Sequence, residues 1–196
     1  MKRKAHILVF DGLADWEPAH ALCEINKSGK FDVITVGLSE MPVLTMGGLK
    51  LRPEMALENV ILEEVGIFIL PGGDMWEEQS NENLKMLLGR LHAAEILIGG
   101  ICGATLEIAR AGLTRGTRHT SNSKDYLKTM IADYSDEEFY VDELAVTDKK
   151  VITASGLGSI EFGREVIKQL GIYSETDTRI WYEMFKHGVM PASSAV

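Results

Sequence analysis

The chain has 196 residues, of which 45% are hydrophobic, and a formal net charge of -9. This length supports one substantial hydrophobic core, so we expect a single domain over residues 1–196. The acidic balance excludes the basic surface that nucleic-acid binding requires.

The apolar runs of the sequence are all far shorter than a membrane span, and Ala5–Phe10 is too short for the core of a signal peptide. We therefore expect a cytoplasmic protein without nucleic-acid or membrane partners. Thiols stay reduced in that compartment, so Cys23 and Cys102 are not expected to form a structural disulfide.

Five short and nearly continuous apolar runs are typical of strands that are buried on both faces. They are Ala5–Phe10, Phe31–Leu38, Val65–Pro71, Glu95–Ile101 and Lys150–Ser155. Helical patterns lie between several of these runs. The alternation predicts an α/β fold, a doubly wound and mostly parallel sheet sandwiched by helices. Gly47 and Gly48, between short apolar stretches, predict a small hairpin beside this sheet.

Each predicted helix has apolar residues at helical spacing. The sets are Trp16, Ala19, Leu22 and Cys23; Leu84, Leu87, Leu88 and Leu91; Ile160, Gly163, Ile167 and Leu170; and Ile180, Met184 and Phe185. The first set predicts that Cys23 is a core residue. The last set predicts a C-terminal helix that packs on the protein's own core or on a partner.

Cys102 stands where the apolar run Glu95–Ile101 meets a helical pattern. Gly100 and Ala104 flank it with small side chains, which is the steric requirement of a nucleophile elbow. A helix N-terminus there would favour the thiolate. The alternative is that Cys102 is simply a small buried residue.

Two further segments follow predicted strands and so belong at the same edge of the sheet. The Leu70–Asp74 segment contains glycines whose backbone N–H groups could approach a ligand, although an ordinary turn would also contain them. The Asp11–Ala19 segment places Glu17 in the first turn of a helix. There Asp15 could be a plain N-cap and Glu17 an acid favoured by the helix dipole.

These segments and a late turn, Asp148–Ser159, come in the order seen in the ThiJ/PfpI superfamily, which the chain resembles from about residue 5 to residue 171. That superfamily includes intracellular PfpI-type proteases and a parkinsonism-associated stress protein. The resemblance implies a flavodoxin-like sheet of the class I glutamine amidotransferase type and a homodimer.

The resemblance also implies residue roles. Cys102 corresponds to the reactive thiol, Glu17 to its acidic partner, and the backbone of Gly72, Gly73 and Gly103 to the oxyanion site. Burial should raise the pKa of Glu17, so that its protonated carboxyl donates a hydrogen bond to the thiolate.

The chain departs from its relatives at two positions. Peptidase-like members have a histidine directly after the cysteine, where this chain has Gly103, and many others have a histidine or an aromatic residue where it has Asn122. His119, three residues before Asn122, either enters the site as a catalytic base or is a surface histidine.

The expected function is that of a cysteine-dependent enzyme acting on a small carbonyl or amide compound: a hydrolase, a hydratase or a 2-oxoaldehyde-detoxifying enzyme, rather than a peptidase. The alternatives are a redox or stress-response protein whose Cys102 is reversibly oxidised, and an inert elbow. The histidines lack metal-ligand spacing and no phosphate-binding loop is present, so we expect neither a metal nor a cofactor.

Overall fold

The computed structural model describes residues 3–78 and 80–190. One seven-stranded sheet lies at the centre, in the order β5-β2-β1-β6-β7-β9-β8. Its strands are β1 (Arg3–Val9), β2 (Phe31–Gly37), β5 (Met55–Ala56), β6 (Val65–Leu70), β7 (Leu97–Ile101), β8 (Ala145–Asp148) and β9 (Val151–Ala154). Neighbouring strands are parallel, except that β8 pairs antiparallel with β9.

Helices cover both faces of this sheet. They are α1 (Trp16–Lys27), α2 (Met75–Glu78), α3 (Glu82–Ala93), α4 (Ala104–Arg110), α5 (Lys124–Met130), α6 (Ser159–Gln169) and α7 (Glu175–His187). Residues of α1, α6 and α7 form one core cluster with the sheet, and residues of α2 to α5 form the other. Single 3₁₀ turns occur at Leu57–Asn59, Leu62–Glu64 and Glu137–Phe139. No helix of the described residues is long and apolar enough to cross a membrane.

The predicted mostly parallel, doubly wound sheet is confirmed, and each of the five predicted strands is present. The prediction missed the two edge strands, β5 and β8. Strand β5 has only two residues, and β8 is buried at Ala145 and Val146 but only half-buried at Thr147 and Asp148. Neither gives the continuous apolar run by which a central strand is found in a sequence.

The predicted buried stripe of α1 is wrong by about one residue. The helix buries Glu17, Pro18, Ala21, Glu24 and Ile25, whereas Trp16 and Cys23 are exposed. The error arises because the buried stripe contains two carboxylates, which a hydrophobicity pattern assigns to the outside. Glu24 is buried because the Tyr173 hydroxyl and the Lys27 ammonium both donate hydrogen bonds to it.

The predicted hairpin is confirmed as β3 (Val43–Leu44) and β4 (Lys50–Leu51), which form a separate antiparallel sheet. It is hydrogen-bonded to the segment between β1 and α1. Asp11 accepts the Leu44 N–H at 2.7 Å, and Asp15 accepts the Gly47 N–H at 2.6 Å. The Asp15 side chain therefore holds the hairpin. It does not cap α1, although the sequence had suggested an N-cap role for it.

The C-terminal helix α7 packs on the protein's own core. Its buried residues are Thr178 and Trp181, whereas Phe185 of the predicted stripe is exposed. Gly163 on α6 permits the contact, because a Cβ there would lie 3.0 Å from the Trp181 ring.

Candidate active site

The candidate site lies at the carboxyl ends of β1, β6, β7 and β9. From β1 the chain crosses first to β2 on one side and later to β6 on the other, so β1 and β6 flank the point where the winding reverses. Sheets of this kind bind ligands at that point. The segments after these four strands supply Glu17, Gly72, Cys102 and Gly156.

Cys102 forms the sharp turn between β7 and α4. Its backbone is left-handed, with φ 59°, a conformation that non-glycine residues adopt rarely and mainly at constrained sites. The Cys102 N–H donates to the Ala154 carbonyl at 2.9 Å, which ties the turn to β9. A Cβ on Gly100 would lie 2.4 Å from the end of the Ile108 side chain, which would have to move, so the backbone before the turn packs closely on α4.

Glu17 is 2% exposed and lies beside Cys102. Its Oε2 accepts the Gly72 N–H at 2.6 Å, and a Cβ on Gly156 would lie 3.2 Å from Glu17 Oε1 and 2.9 Å from Cys102 Sγ, so the carboxyl group and the sulfur are neighbours. Burial raises the pKa of Glu17, while its interactions with the Cys102 thiol and the Gly72 N–H act in the opposite direction. A Cβ on Gly72 would lie 2.3 Å from Glu17 Oε2 and 2.6 Å from Cys102 Cβ, so glycine is required where the two side chains meet.

The Cys102 thiol is neutral at rest. Burial is the main cause that raises its pKa to about 11, and the charge of Glu17 raises it further. Hydrogen bonds from Asn122 and from the Gly103 N–H lower the pKa but do not offset the burial. The lowered thiol pKa that a helix N-terminus suggested is therefore not what this environment produces.

The three glycines of the expected oxyanion site differ in what their N–H groups do. The Gly72 N–H donates to Glu17 and is not free for a substrate oxygen. The Gly103 N–H is directed at the sulfur. Gly73 has φ 155°, and a Cβ there would lie 2.7 Å from the Phe10 ring and 2.8 Å from the Gly12 carbonyl oxygen. Among the described residues, no acceptor takes the Gly73 N–H.

Asn122 contacts the sulfur directly. Its Nδ2 lies 3.5 Å from Cys102 Sγ, and its Oδ1 accepts the Gly156 N–H at 2.9 Å. Asn122 stands where relatives have a histidine or an aromatic residue, and this contact was not predicted from the sequence. A Cβ on Gly156 would lie 2.9 Å from Cys102 Sγ. The late turn after β9 therefore packs closely against the Cys102 sulfur.

His119 is neither on the surface nor hydrogen-bonded to Cys102. It is 1% exposed, its Nδ1 is 2.7 Å from the Thr117 carbonyl oxygen, and its Nε2 is 2.6 Å from the Tyr134 hydroxyl. Burial lowers the pKa of its imidazole. Both ring nitrogens are thus used to hold the segment before Asn122. In the described part of the chain, no cluster of three or more His, Cys, Asp or Glu residues could hold a metal ion.

Comparison with known proteins identifies the family of the chain. The model of the DJ-1/PfpI family matches residues 3–169. Two Bacillus subtilis proteins, each named as an uncharacterized protease, are similar over most of their length. YoaZ is 34% identical over 94% of this chain and 91% of its own length, and YdeA is 31% identical over 86% and 83%.

Solved structures give the same result. A ThiJ/PfpI family protein from Bacillus anthracis superposes with a TM-score of 0.90 at 33% identity, covering 96% of this chain and 92% of that protein. The DJ-1 superfamily protein Atu0886 from Agrobacterium tumefaciens superposes with a TM-score of 0.84 at 28% identity, covering 94% and 99%. The chain described here belongs to the DJ-1/PfpI family.

Proposed function

We propose that the protein is a cysteine-dependent enzyme that adds the Cys102 sulfur to the carbonyl carbon of a small, activated substrate, with 2-oxoaldehydes as the favoured class. One observation carries the proposal: the Cys102 sulfur lies beside a buried carboxyl group, that of Glu17, at the carboxyl ends of the central strands. A thiol next to its own proton acceptor can become a nucleophile as the reaction occurs.

The proton transfer follows from the two pKa shifts. With a thiol pKa of about 11, only roughly one sulfur in ten thousand is ionised at pH 7. Glu17 has a pKa raised by burial and lies beside the thiol, so it is suited to take the proton as sulfur attacks. The sulfur–carbon bond forms, the carbonyl electron pair moves to oxygen, and that oxygen then recovers the proton from Glu17.

A 2-oxoaldehyde needs no activated water at this stage. The carbon that bears sulfur in the adduct keeps an acidic hydrogen beside the second carbonyl. Glu17 can move this hydrogen as a proton to the neighbouring carbon while the hydroxyl proton of the adduct passes to the oxygen on that carbon, which converts the hemithioacetal into a thioester of a 2-hydroxy acid. Water then hydrolyses the thioester, a much less demanding step than cleavage of an amide.

The size of the site also favours a small substrate. Gly72 and Gly156 stand where any Cβ would collide with the Glu17 or Cys102 side chain. Peptide hydrolysis would in addition need a base to activate water, and general base catalysis contributes about 10²- to 10⁴-fold. Among the described residues, Asn122 is hydrogen-bonded to the Cys102 sulfur and no imidazole is. We therefore propose that the related proteins' name of protease does not describe the main activity of this chain.

The test measures consumption of methylglyoxal, the simplest methylated 2-oxoaldehyde, by the purified protein. Cys102→Ser should abolish consumption, and Cys23→Ser, which changes an exposed thiol on α1, should leave it unchanged. Cleavage of unfolded casein should stay at background in all three proteins. Methylglyoxal consumption that survives Cys102→Ser would refute the proposal.

The second candidate function is a redox protein in which peroxide converts the Cys102 thiol to a sulfenic acid with release of water. The donors directed at the sulfur, Asn122 and Gly103, favour it because they would stabilise an oxidised, anionic sulfur. The raised thiol pKa argues against it, since the thiolate reacts with peroxide. Faster peroxide oxidation of Cys102 than of Cys23, read by mass spectrometry, would favour this candidate.

The expected homodimer remains a proposal that sedimentation would test.

A further inference from the structure

The orientation of the Asn122 amide is set by a backbone group that can only donate. Because the Gly156 N–H lies 2.9 Å from one amide atom, that atom is the oxygen Oδ1. The NH₂ group must then face the opposite way, where Cys102 Sγ lies 3.5 Å from Nδ2. Asn122 is exposed, so this donor stands on the open side of the sulfur, from which a substrate arrives.

The site has an unfilled requirement for such a donor. Charge that develops on a carbonyl oxygen is stabilised by donors placed about 2.7–3.1 Å from it. The Gly72 N–H is bound to Glu17, and the Gly103 N–H is directed at the sulfur, which leaves Gly73 as the backbone donor with no acceptor among the described residues. One donor is fewer than acyl-transfer sites commonly use.

The NH₂ group of Asn122 carries two hydrogens, and the sulfur takes only one. The oxygen of a carbon bonded to sulfur is two bonds from Sγ, within reach of an amide nitrogen that contacts Sγ. Resting on the proposed function, we infer that Asn122 is a catalytic hydrogen-bond donor, which binds the sulfur at rest and the substrate's carbonyl oxygen during attack. An amide cannot take up a proton, so Asn122 stabilises the adduct without activating water. A site with this donor is suited to addition of the sulfur to a carbonyl group and not to hydrolysis by an activated water.

The test compares two reactions of Cys102 in a Cys23→Ser background. Iodoacetamide alkylates the sulfur without forming an oxyanion, whereas p-nitrophenyl acetate acetylates it through one and releases p-nitrophenolate. Both rates are measured across pH for Asn122→Ala and Asn122→Asp, the second of which keeps an acceptor for the Gly156 N–H. Asn83→Asp is the matched control, because Asn83 is exposed on α3 and undergoes the same change of charge.

The expected result has two parts. Both Asn122 variants shift the pH midpoint of alkylation upward, with a larger shift for Asp because it adds a negative charge beside the sulfur. At equal thiolate fraction, acetylation falls by roughly 10²-fold relative to alkylation, as expected for loss of one oxyanion donor. Asn83→Asp changes neither quantity.

Equal losses of acetylation and alkylation would overturn the inference, because Asn122 would then act on the thiolate alone. Unchanged rates of both reactions would overturn it as well. The outcome does not depend on the substrate of the proposed function: a protein that fails to consume methylglyoxal still gives both rates.

Discussion

Glu17 and Cys102 lie next to each other and influence each other's titration. Burial raises the pKa of both groups; the thiol acts to lower the pKa of the carboxyl group, and the charge of the carboxylate raises the pKa of the thiol further. Ionisation of either group therefore opposes ionisation of the other, and the pair holds one proton over the range between their two transitions.

Replacing Glu17 with Gln removes the negative charge but keeps an oxygen that can accept the Gly72 N–H. We expect the thiol pKa to fall below its value of about 11, since the charge of Glu17 contributes to raising it. We also expect methylglyoxal consumption to fall by at least about 10²-fold, because the proton acceptor is lost. Thiolate absorbance gives the first quantity and an activity assay the second.

A Glu17→Leu variant serves as the contrast. It removes the charge and also leaves the Gly72 N–H without an acceptor, which typically costs about 1–3 kcal/mol of stability. Glu17→Gln should therefore unfold at the higher denaturant concentration. An unchanged thiol pKa in both variants would contradict the coupling described above.

Gly156→Ala should damage the site while leaving the fold intact. The new Cβ would lie 2.9 Å from Cys102 Sγ and 3.2 Å from Glu17 Oε1, so the sulfur must move from its position between Glu17 and Asn122. We expect slower alkylation of Cys102 and lower activity. Gly89→Ala is the control, because nothing lies within 4 Å of a Cβ at that position on α3. It should keep full activity and gain about 0.5–1 kcal/mol of stability.

The two cysteines should respond differently to pH. Alkylation of Cys102 should keep rising until the pH reaches about 11, where half of its thiol is ionised. At neutral pH we expect exposed Cys23 to react first with iodoacetamide, and carbonyl reagents to select Cys102, since the proposed oxyanion donors lie beside that sulfur. Peptide mapping by mass spectrometry distinguishes the two sites. A Cys102 rate that levels off near pH 7 would show that another group lowers its pKa.

His6 should make the protein sensitive to acid. It lies 1% exposed in β1, stacked on Phe68, and neither ring nitrogen has a hydrogen-bond partner among the described residues. Burial lowers its pKa below 6.5; the charge of Lys4 adds to this effect, whereas Glu64, Glu54 and the Lys4 backbone oppose it. The unfolded chain thus binds a proton before the folded one does, so stability is lost as the pH falls below about 6.5.

A His6→Leu variant removes this proton and the unpaired nitrogens. At pH 8 its free energy of unfolding should exceed that of the wild type by about 1–3 kcal/mol, because the unpaired polar atoms are gone. The difference should grow as the pH falls from 6.5 to 5. Urea titrations at three pH values measure it. An advantage that stays constant with pH would show that His6 does not titrate in this range.

The sequence predicted the central strands and the elbow because both depend on local signals: continuous apolar runs, and small residues around Cys102. It did not predict the exposure of Cys23, because the buried face of α1 contains Glu17 and Glu24, whose partners come from distant parts of the chain. Two site contacts also join segments far apart in sequence: the hydrogen bond from the Gly72 N–H to Glu17, and the contact of Asn122 with the Cys102 sulfur. Contacts of this kind leave no periodicity in the sequence.

The β3–β4 hairpin gives the site a dependence that its position outside the main sheet conceals. Asp11 and Asp15, which precede Glu17 on the chain, both accept hydrogen bonds from N–H groups of the hairpin. The hairpin therefore holds in place the segment that positions the Glu17 carboxyl group. In relatives whose hairpins differ in length, we expect the acid at the position of Glu17 to be oriented differently, even where the turn at the cysteine is unchanged. Differences in activity between such relatives can therefore originate in the β3–β4 hairpin, which lies outside the main sheet that carries Cys102.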